Sequence, residues 1–276
     1  MIEKIDLISN RLKELIPKDN NYQKKLFEAA NYSLLSPAKR LRPLLVLTTL
    51  EAFKKDIKIG IDPALSIELI HTYSLIHDDL PCMDDDDFRR GKPSLHKAYP
   101  EWLAILTGDY LLTYAFEIIT KANKITDKQK VDLIQSLTKY SGGFGLIAGQ
   151  VTDLSFEGKK IDFEKLKFMH LNKTAALFIA AVEFGCILAN AEQDIKLKFI
   201  EFAKSFGLAF QIFDDISDTE DKKSSDIKKD KATAVTILGL KEAKKLASDL
   251  QEKGLEILKK LPLDTNDLEK LILKIS

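Results

Sequence analysis

Between His77 and Gly91 the chain reads His-Asp-Asp-Leu-Pro-Cys-Met-Asp-Asp-Asp-Asp-Phe-Arg-Arg-Gly, with six carboxylates inside ten positions and Arg89 and Arg90 close behind. An apolar run containing His71, Tyr73, Leu75 and Ile76 leads into it. Carboxylates at the mouth of an apolar helix suit hard divalent cations bound through oxygen. Mg²⁺ is favoured, because it takes a few carboxylates and shares its other positions with substrate phosphates. The two arginines offer planar forks that match diphosphate oxygens. A second cluster, Phe210-Gln211-Ile212-Phe213-Asp214-Asp215-Ile216-Ser217-Asp218, again puts carboxylates at the end of an apolar run. Asp214 and Asp218 are four apart and share a helix face, where like charges repel and a bound cation reverses the sign. Either cluster alone reads as a solvated helix end. Two of them, each closing an apolar helix, read as a metal site.

Cationic residues complete the set. Ser36-Pro37-Ala38-Lys39-Arg40-Leu41-Arg42-Pro43 precedes the apolar Leu44-Leu45-Val46-Leu47. Pro43 suits a first helical turn, so Lys39 and Arg42 stand at a helix entrance, where anions are favoured. Taken singly these residues have plainer readings. The basic loop can be a solvated one, His71 a satisfied core histidine, and Lys173-Thr174 and Lys231-Ala232-Thr233 simple helix starts.

The elements that must position these groups are helical. Ile5, Ile8, Leu12 and Leu15 step at three and four, and Val131, Ile134 and Leu137 repeat the rhythm. Stretches of alternating polarity are scarce. Breakers fall between segments at Pro37, Pro63, Pro93, Pro100, Gly142-Gly143, Gly158 and Asp264-Thr265-Asn266. About ten helices in one bundle suit 276 residues, and no linker divides them, so a single domain over 1–276 is expected. Lysine plus arginine equal aspartate plus glutamate at 42 each, which argues against a general polyanion binder such as a nucleic-acid protein. Cys82 and Cys186 are far apart, which excludes a cysteine-based zinc site and a disulfide framework and fits a reducing, cytoplasmic setting. The charged start, Met1-Ile2-Glu3-Lys4-Ile5-Asp6, does not read as a secretory signal. The most apolar window, Ala175 to Ala189, is broken by Glu183 and is shorter than the ~20 residues of a membrane span, so it is expected to be a core helix.

Taken in order, Lys-Arg-x-Arg-Pro, His-x-Tyr-Ser-Leu-Ile-His-Asp-Asp-Leu-Pro-x-Met-Asp-x-Asp-x-x-Arg-Arg-Gly-x-Pro, Gly-Gly-x-Gly-x-x-x-Gly-Gln with Asp-Leu, Lys-Thr, Phe-Gln-x-x-Asp-Asp-Ile-x-Asp and Lys-x-Thr resemble the trans-isoprenyl diphosphate synthases. The likeness runs from Lys39 to Thr233 and is greatest to the bacterial farnesyl diphosphate synthases, whose first aspartate motif carries two extra residues, here near Pro81-Cys82. The resemblance implies an all-α isoprenoid-synthase bundle around a central cavity, usually homodimeric, joining isopentenyl diphosphate to an allylic diphosphate with three Mg²⁺ ions. It assigns Asp78, Asp84, Asp214 and Asp218 to the metal. It assigns Arg89 to the allylic diphosphate, and Lys39, Arg42, His71 and Arg90 to isopentenyl diphosphate. Lys173, Gln211 and Lys231 fall to the allylic diphosphate or its metals, and Thr174 lies beside the reacting carbons. Tyr73, five before Asp78, and Ser74 sit where short-chain enzymes close the floor of the product well, implying a C15 product; ordinary core packing is the plainer reading of Tyr73. A C20 synthase, a terpene cyclase and a silent regulatory subunit are the alternatives.

Six residues are not a whole number of helical turns, so an ideal helix turns Asp84 away from Asp78. Pro81 leads us to expect a bend or bulge that reunites them. The chain departs from the family pattern in two places. Pro37-Ala38 replaces a usual Gly-Gly, which suggests a loop that is stiffer or differently shaped. The stretch Thr219 to Asp226 is short and lacks glycine, with Lys222 and Lys223 as candidates for a missing lysine.

Overall fold

The computed structural model describes residues 1–18, 21–220 and 232–275. The expected all-α class holds. Among the described residues the only strands, β1 (Phe88–Arg89) and β2 (Lys92–Pro93), form one small hairpin. The chain forms two compact units, residues 1–47 with 56–134 and residues 48–55 with 135–276.

The first unit holds α1 (Ile2–Leu15), α2 (Lys24–Leu34), the start of α3 (Leu41–Ala52), α4 (Ile61–Asp78), α5 (Leu95–Ala98), α6 (Glu101–Lys121) and the first half of α7 (Asp127–Ser141). Helix α4 is apolar nearly all round, the pattern of a buried helix, and it packs on α6 with little beyond its C-terminal turn in solvent. Its few polar groups are satisfied locally: Ser66 Oγ donates to the Pro63 carbonyl and Thr72 Oγ1 to that of Glu68, each at 2.7–2.8 Å. Asp62 in its first turn favours the helix dipole and accepts from Arg11 Nε at 2.8 Å.

The second unit is built on α8 (Leu146–Phe156), α9 (Phe163–His170), a π-helical turn over Leu171–Ala175, α10 (Ala176–Ala189), α11 (Gln193–Glu220), α12 (Ala234–Leu238), α13 (Leu240–Lys259) and α14 (Asn266–Leu273). Its core is aromatic: Phe178, Phe184, Phe199, Phe202 and Phe206 are fully buried, and Phe178 meets Phe206 edge-on at 5.1 Å. As expected, α10 is a core helix, and its one charge is accounted for. The buried Glu183 accepts from Ser136 Oγ at 2.6 Å and lies 3.5 Å from Lys196 Nζ. Two stretches, Glu101–Lys121 and Phe163–Ala189, are long and apolar enough to cross a membrane by length and composition alone. Of the most apolar 18-residue window of the second, 72% is buried within the fold, and a core helix passes the same test.

Candidate active site

Helix α4 ends at Asp78 rather than bending. Pro81 sits in the turns that follow, and the chain folds back so that the Asp84 amide donates to the Asp78 carbonyl at 2.8 Å. The expected bulge is therefore a helix stop followed by a reversal. The reason is that Pro81 has no N–H to continue the α4 ladder. The Leu80 carbonyl accepts from both Met83 and Asp85, at 2.9 and 3.1 Å, and Asp85 takes a positive φ of 48° to complete the turn. Asp78 and Asp84 come out half-buried on one short loop.

The loop runs into the β1–β2 hairpin, whose register leaves Arg90-Gly91 as a two-residue connection. Both have positive φ, 55° and 77°, as a type I′ turn requires. Glycine is strain-free there and arginine is not. The two neighbouring arginines consequently point at different partners. Arg89 lies on β1 and donates from Nε and Nη2 to Asp79 Oδ1, at 2.9 and 2.5 Å, with Asp86 Oδ2 at 3.2 Å. Arg90, in the turn, reaches His71 Nε2 at 3.4 Å. Burial raises the Asp79 carboxyl above its ordinary pKa while the Arg89 guanidinium pulls it back.

His71 stands on α4 among Arg42, Arg90, Arg40 and Arg89, and burial, reinforced by those charges, holds it well below the usual histidine range. It is neutral at pH 7. Since arginine can only donate, Nε2 accepts and the ring proton sits on Nδ1. Arg42, in the first turn of α3, is lowered to about 10 by burial, partly countered by Glu68, with Arg90 adding to the fall. Lys39 is exposed on the preceding loop. The left-handed residue of this loop is Arg40, φ 51°. Its guanidinium is buried against Glu68 Oε1 at 2.5 Å, donates to the Ser36 carbonyl at 2.8 Å and also to that of Leu34. This buried pair ties the loop to α4 through Glu68 and back onto the end of α2.

In the second unit Lys173 and Thr174 do not begin a helix. They occupy the π-helical turn inside a continuous helix, Phe163 to Ala189, and such turns often mark functional sites. A Cβ on Gly149 of α8 would lie 2.1 Å from the Lys173 backbone nitrogen, so only glycine permits that approach. Lys173 Nζ donates to Asp153 Oδ2 at 2.5 Å. Thr174 Oγ1 donates to Gln211 Oε1 at 2.6 Å, Gln211 Nε2 donates to Asp215 Oδ1 at 3.1 Å, and Asp215 Oδ2 accepts the Ala234 amide at 2.7 Å. Asp214 is exposed and Asp218 half-buried on α11. Lys231, Lys222 and Lys223 lie outside the described residues.

The sequence reading missed the residues that hold these groups: Asp79, Glu68, Asp153 and Asp215. Helical spacing was the available signal, since adjacent residues on a helix are about 100° apart and an Asp-Asp doublet cannot present both members alike. Both ends of the Gln150 amide are buried without a hydrogen-bond partner. Tyr73 is buried on α4 with its ring edge-on to His77 at 5.7 Å, and Ser74 beside it donates to the His71 carbonyl at 3.0 Å. For Mg²⁺ the donor chemistry fits: each unit presents a carboxylate pair, Asp78 with Asp84 and Asp214 with Asp218. Among the described residues no group of three or more His, Cys, Asp or Glu is placed to hold a metal ion by itself. An ion that keeps waters and shares phosphate oxygens needs only one or two protein carboxylates.

A family model described as polyprenyl synthetase matches residues 23–274. The farnesyl diphosphate synthase of Geobacillus stearothermophilus is 44% identical over 237 residues, 82% of this chain and 80% of that protein. The geranylgeranyl diphosphate synthase of Cyanophora paradoxa is 40% identical over 265 residues, 93% and 88%. The crystal structure of a geranyltransferase from Helicobacter pylori, complexed with magnesium and isoprenyl diphosphate, superposes with a TM-score of 0.87 at 31% identity, covering 99% of this chain and 94% of that one.

Proposed function

Because this chain belongs to the polyprenyl synthetase family, we propose that it is a short-chain trans-prenyltransferase. It condenses isopentenyl diphosphate with dimethylallyl or geranyl diphosphate to farnesyl diphosphate and releases diphosphate. The observation that carries this reading is the split between adjacent arginines. Arg89 belongs to the acidic loop and Arg90 to His71, so one hairpin serves two anion sites. A terpene cyclase needs one.

Lys39, Arg42, His71 and Arg90 hold isopentenyl diphosphate, His71 contributing a neutral ring that adds no further charge to the arginines. Arg89, Lys173, Gln211 and Lys231 hold the allylic diphosphate. Asp78, Asp84, Asp214 and Asp218 would hold Mg²⁺, three ions in all. When bound, Mg²⁺ neutralises the diphosphate that leaves as the C–O bond breaks. The double bond of isopentenyl diphosphate, held close by its own clamp, attacks the allylic cation, and the departing diphosphate takes the proton. The hydroxyl proton of Thr174 is committed to Gln211, and the Gln211 amide is oriented by Asp215. What Thr174 offers to the reacting carbons is therefore oxygen lone pairs, the right polarity for a carbocation.

Tyr73 closes the product well at C15, an assignment supported by its burial five residues, about 7.5 Å of helix, before Asp78. The chain acts as one synthase domain without a membrane span, in a cytoplasmic setting that suits its free thiols at Cys82 and Cys186. It works as a homodimer, a reading supported by the exposed Trp102, Ile105 and Leu106 along one face of α6. Purified chain with Mg²⁺, geranyl diphosphate and isopentenyl diphosphate should give farnesyl diphosphate by chromatography. Consumption of farnesyl diphosphate without isopentenyl diphosphate would mean a cyclase; no turnover until a partner protein is added would mean a regulatory subunit.

A further inference from the structure

The short segment Ser94–Lys97 touches the acidic loop at two closed contacts and one open one. The Ser94 amide donates to the Asp87 carbonyl at 2.9 Å, and Lys97 Nζ meets Asp87 Oδ1 at 2.8 Å. The third is His96. Its side chain is 3% exposed, and Nδ1 lies 3.2 Å from Ser94 Oγ. Nε2 is buried without a hydrogen-bond partner and faces Asp85 Oδ1 at 3.9 Å. A buried ring nitrogen left unpaired is costly, and the carboxylate about 1 Å beyond bonding reach is the group that can relieve it. Asp85 is itself held at φ 48° and follows Asp84 directly. Ser94, His96 and Asp85 do not make a hydrolytic triad, because the serine meets Nδ1 and the carboxylate faces Nε2, the reverse of that arrangement.

We propose that His96 is a positioning residue for the cation-binding loop, with Nδ1 accepting from Ser94 Oγ and Nε2–H donating to the Asp85 carboxylate to fix the neighbouring Asp84. Outer partners of this kind orient metal ligands and set affinity without touching the ion. The inference rests on the reading of Asp84 as a cation ligand, and its test has one arm independent of that reading.

That arm is NMR of the protein without metal. Long-range proton–nitrogen correlations, assigned by comparison with His96→Gln among the four histidines, should show the His96 proton on Nε2. A proton on Nδ1 overturns the proposal whatever the enzyme does. The second arm titrates Mg²⁺ with inorganic diphosphate against thermal melting. Asp85 is 60% exposed, so Asp85→Asn does not threaten the fold. It should raise the half-saturating Mg²⁺ roughly tenfold. His96→Asn, which keeps only the Ser94 end, should match it. His96→Gln, whose amide reaches the place of Nε2, should restore most of the affinity. The His96→Asn, Asp85→Asn double variant should be no worse than either single one. Wild-type half-saturation in Asp85→Asn, or additive losses in the double variant, refutes the clamp. If the unaltered chain shows no Mg²⁺–diphosphate shift at all, the proposed function falls, and the tautomer alone decides the role of His96.

Discussion

Asp78 and Asp79 are neighbours with opposite tasks, and so are Asp214 and Asp215. The first of each doublet is presented at the surface of its unit. The second is buried, Asp79 against Arg89 and Asp215 against Gln211 and the Ala234 amide. Removing a presented carboxylate and removing an anchoring one should therefore fail differently. Asp78→Asn should lower kcat with the melting temperature unchanged. Asp79→Asn also relieves the burial cost of the carboxylate, so stability should shift little, while a loosened Arg89 costs on the order of 10²-fold in kcat/KM. Steady-state rates for the allylic diphosphate, run beside thermal melts, separate the two; equal loss of stability and activity in Asp79→Asn would falsify the anchoring role. Tyr73→Ala opens the floor assigned to the product well. Chromatography should show products longer than C15, alongside a core-truncation cost of about 3 kcal/mol. A product profile confined to C15 refutes the floor.

Two short elements aim the cationic residues, and each depends on a glycine. Gly91 lets the hairpin reverse at φ 77° with open space about it, so Gly91→Ala suffers backbone strain alone, about 1 kcal/mol. Because Arg89 and Arg90 are aimed by that reversal, KM for both diphosphates should rise together. A rise for one alone would show that the hairpin does not couple them. Gly149→Ala is the more severe change. Its Cβ would meet backbone at Lys173, which cannot swing aside, so the π-helical turn must shift, at a cost on the order of 2 kcal/mol and with loss of kcat. Melting curves and rates check both. These elements also mark where the sequence stopped being legible. The periodicity that located α4 and α11 needs several turns to register, and a two-residue strand pair, a four-residue α5 and a π-helical turn are each too short for a period to repeat. Arg-Arg-Gly was legible as chemistry. That it is a type I′ turn was not, because arginine at positive φ goes against its preference and is held there by Gly91 and the strand pairing.

For the molecule as a whole, the helical class and the core role of α10 followed from apolar patterning, and the site residues from ordered motifs that resemble a family, because those signals are local. The anchors did not. Arg40 with Glu68, Lys173 with Asp153 and Asp215 with the Ala234 amide join residues 19 to 28 positions apart, and only the fold brings them together. Burying titratable groups this way links stability to pH. His71 is held well below its ordinary pKa and His170, buried beside Asp153 and Lys173, is lowered to about 4. Above about pH 6.5 both are neutral, folded or unfolded, and contribute nothing. As pH falls below that, the unfolded chain binds protons the fold refuses, so stability drops by up to about 1.4 kcal/mol per pH unit for each histidine. The His170 share stops growing near pH 4, where the folded ring also protonates. Asp79 works in the opposite sense just above the ordinary carboxylate range, since its raised pKa favours the fold at low pH and that help is lost as pH rises. Between about pH 5 and 6.5 the histidines therefore dominate. Denaturant melts across that interval should show stability rising with pH, and His170→Gln should remove close to one proton from the slope while leaving the plateau above pH 7 flat. A His170→Gln slope equal to that of the unaltered chain would mean that His170 titrates alike in both states and that its burial carries no pH-dependent cost.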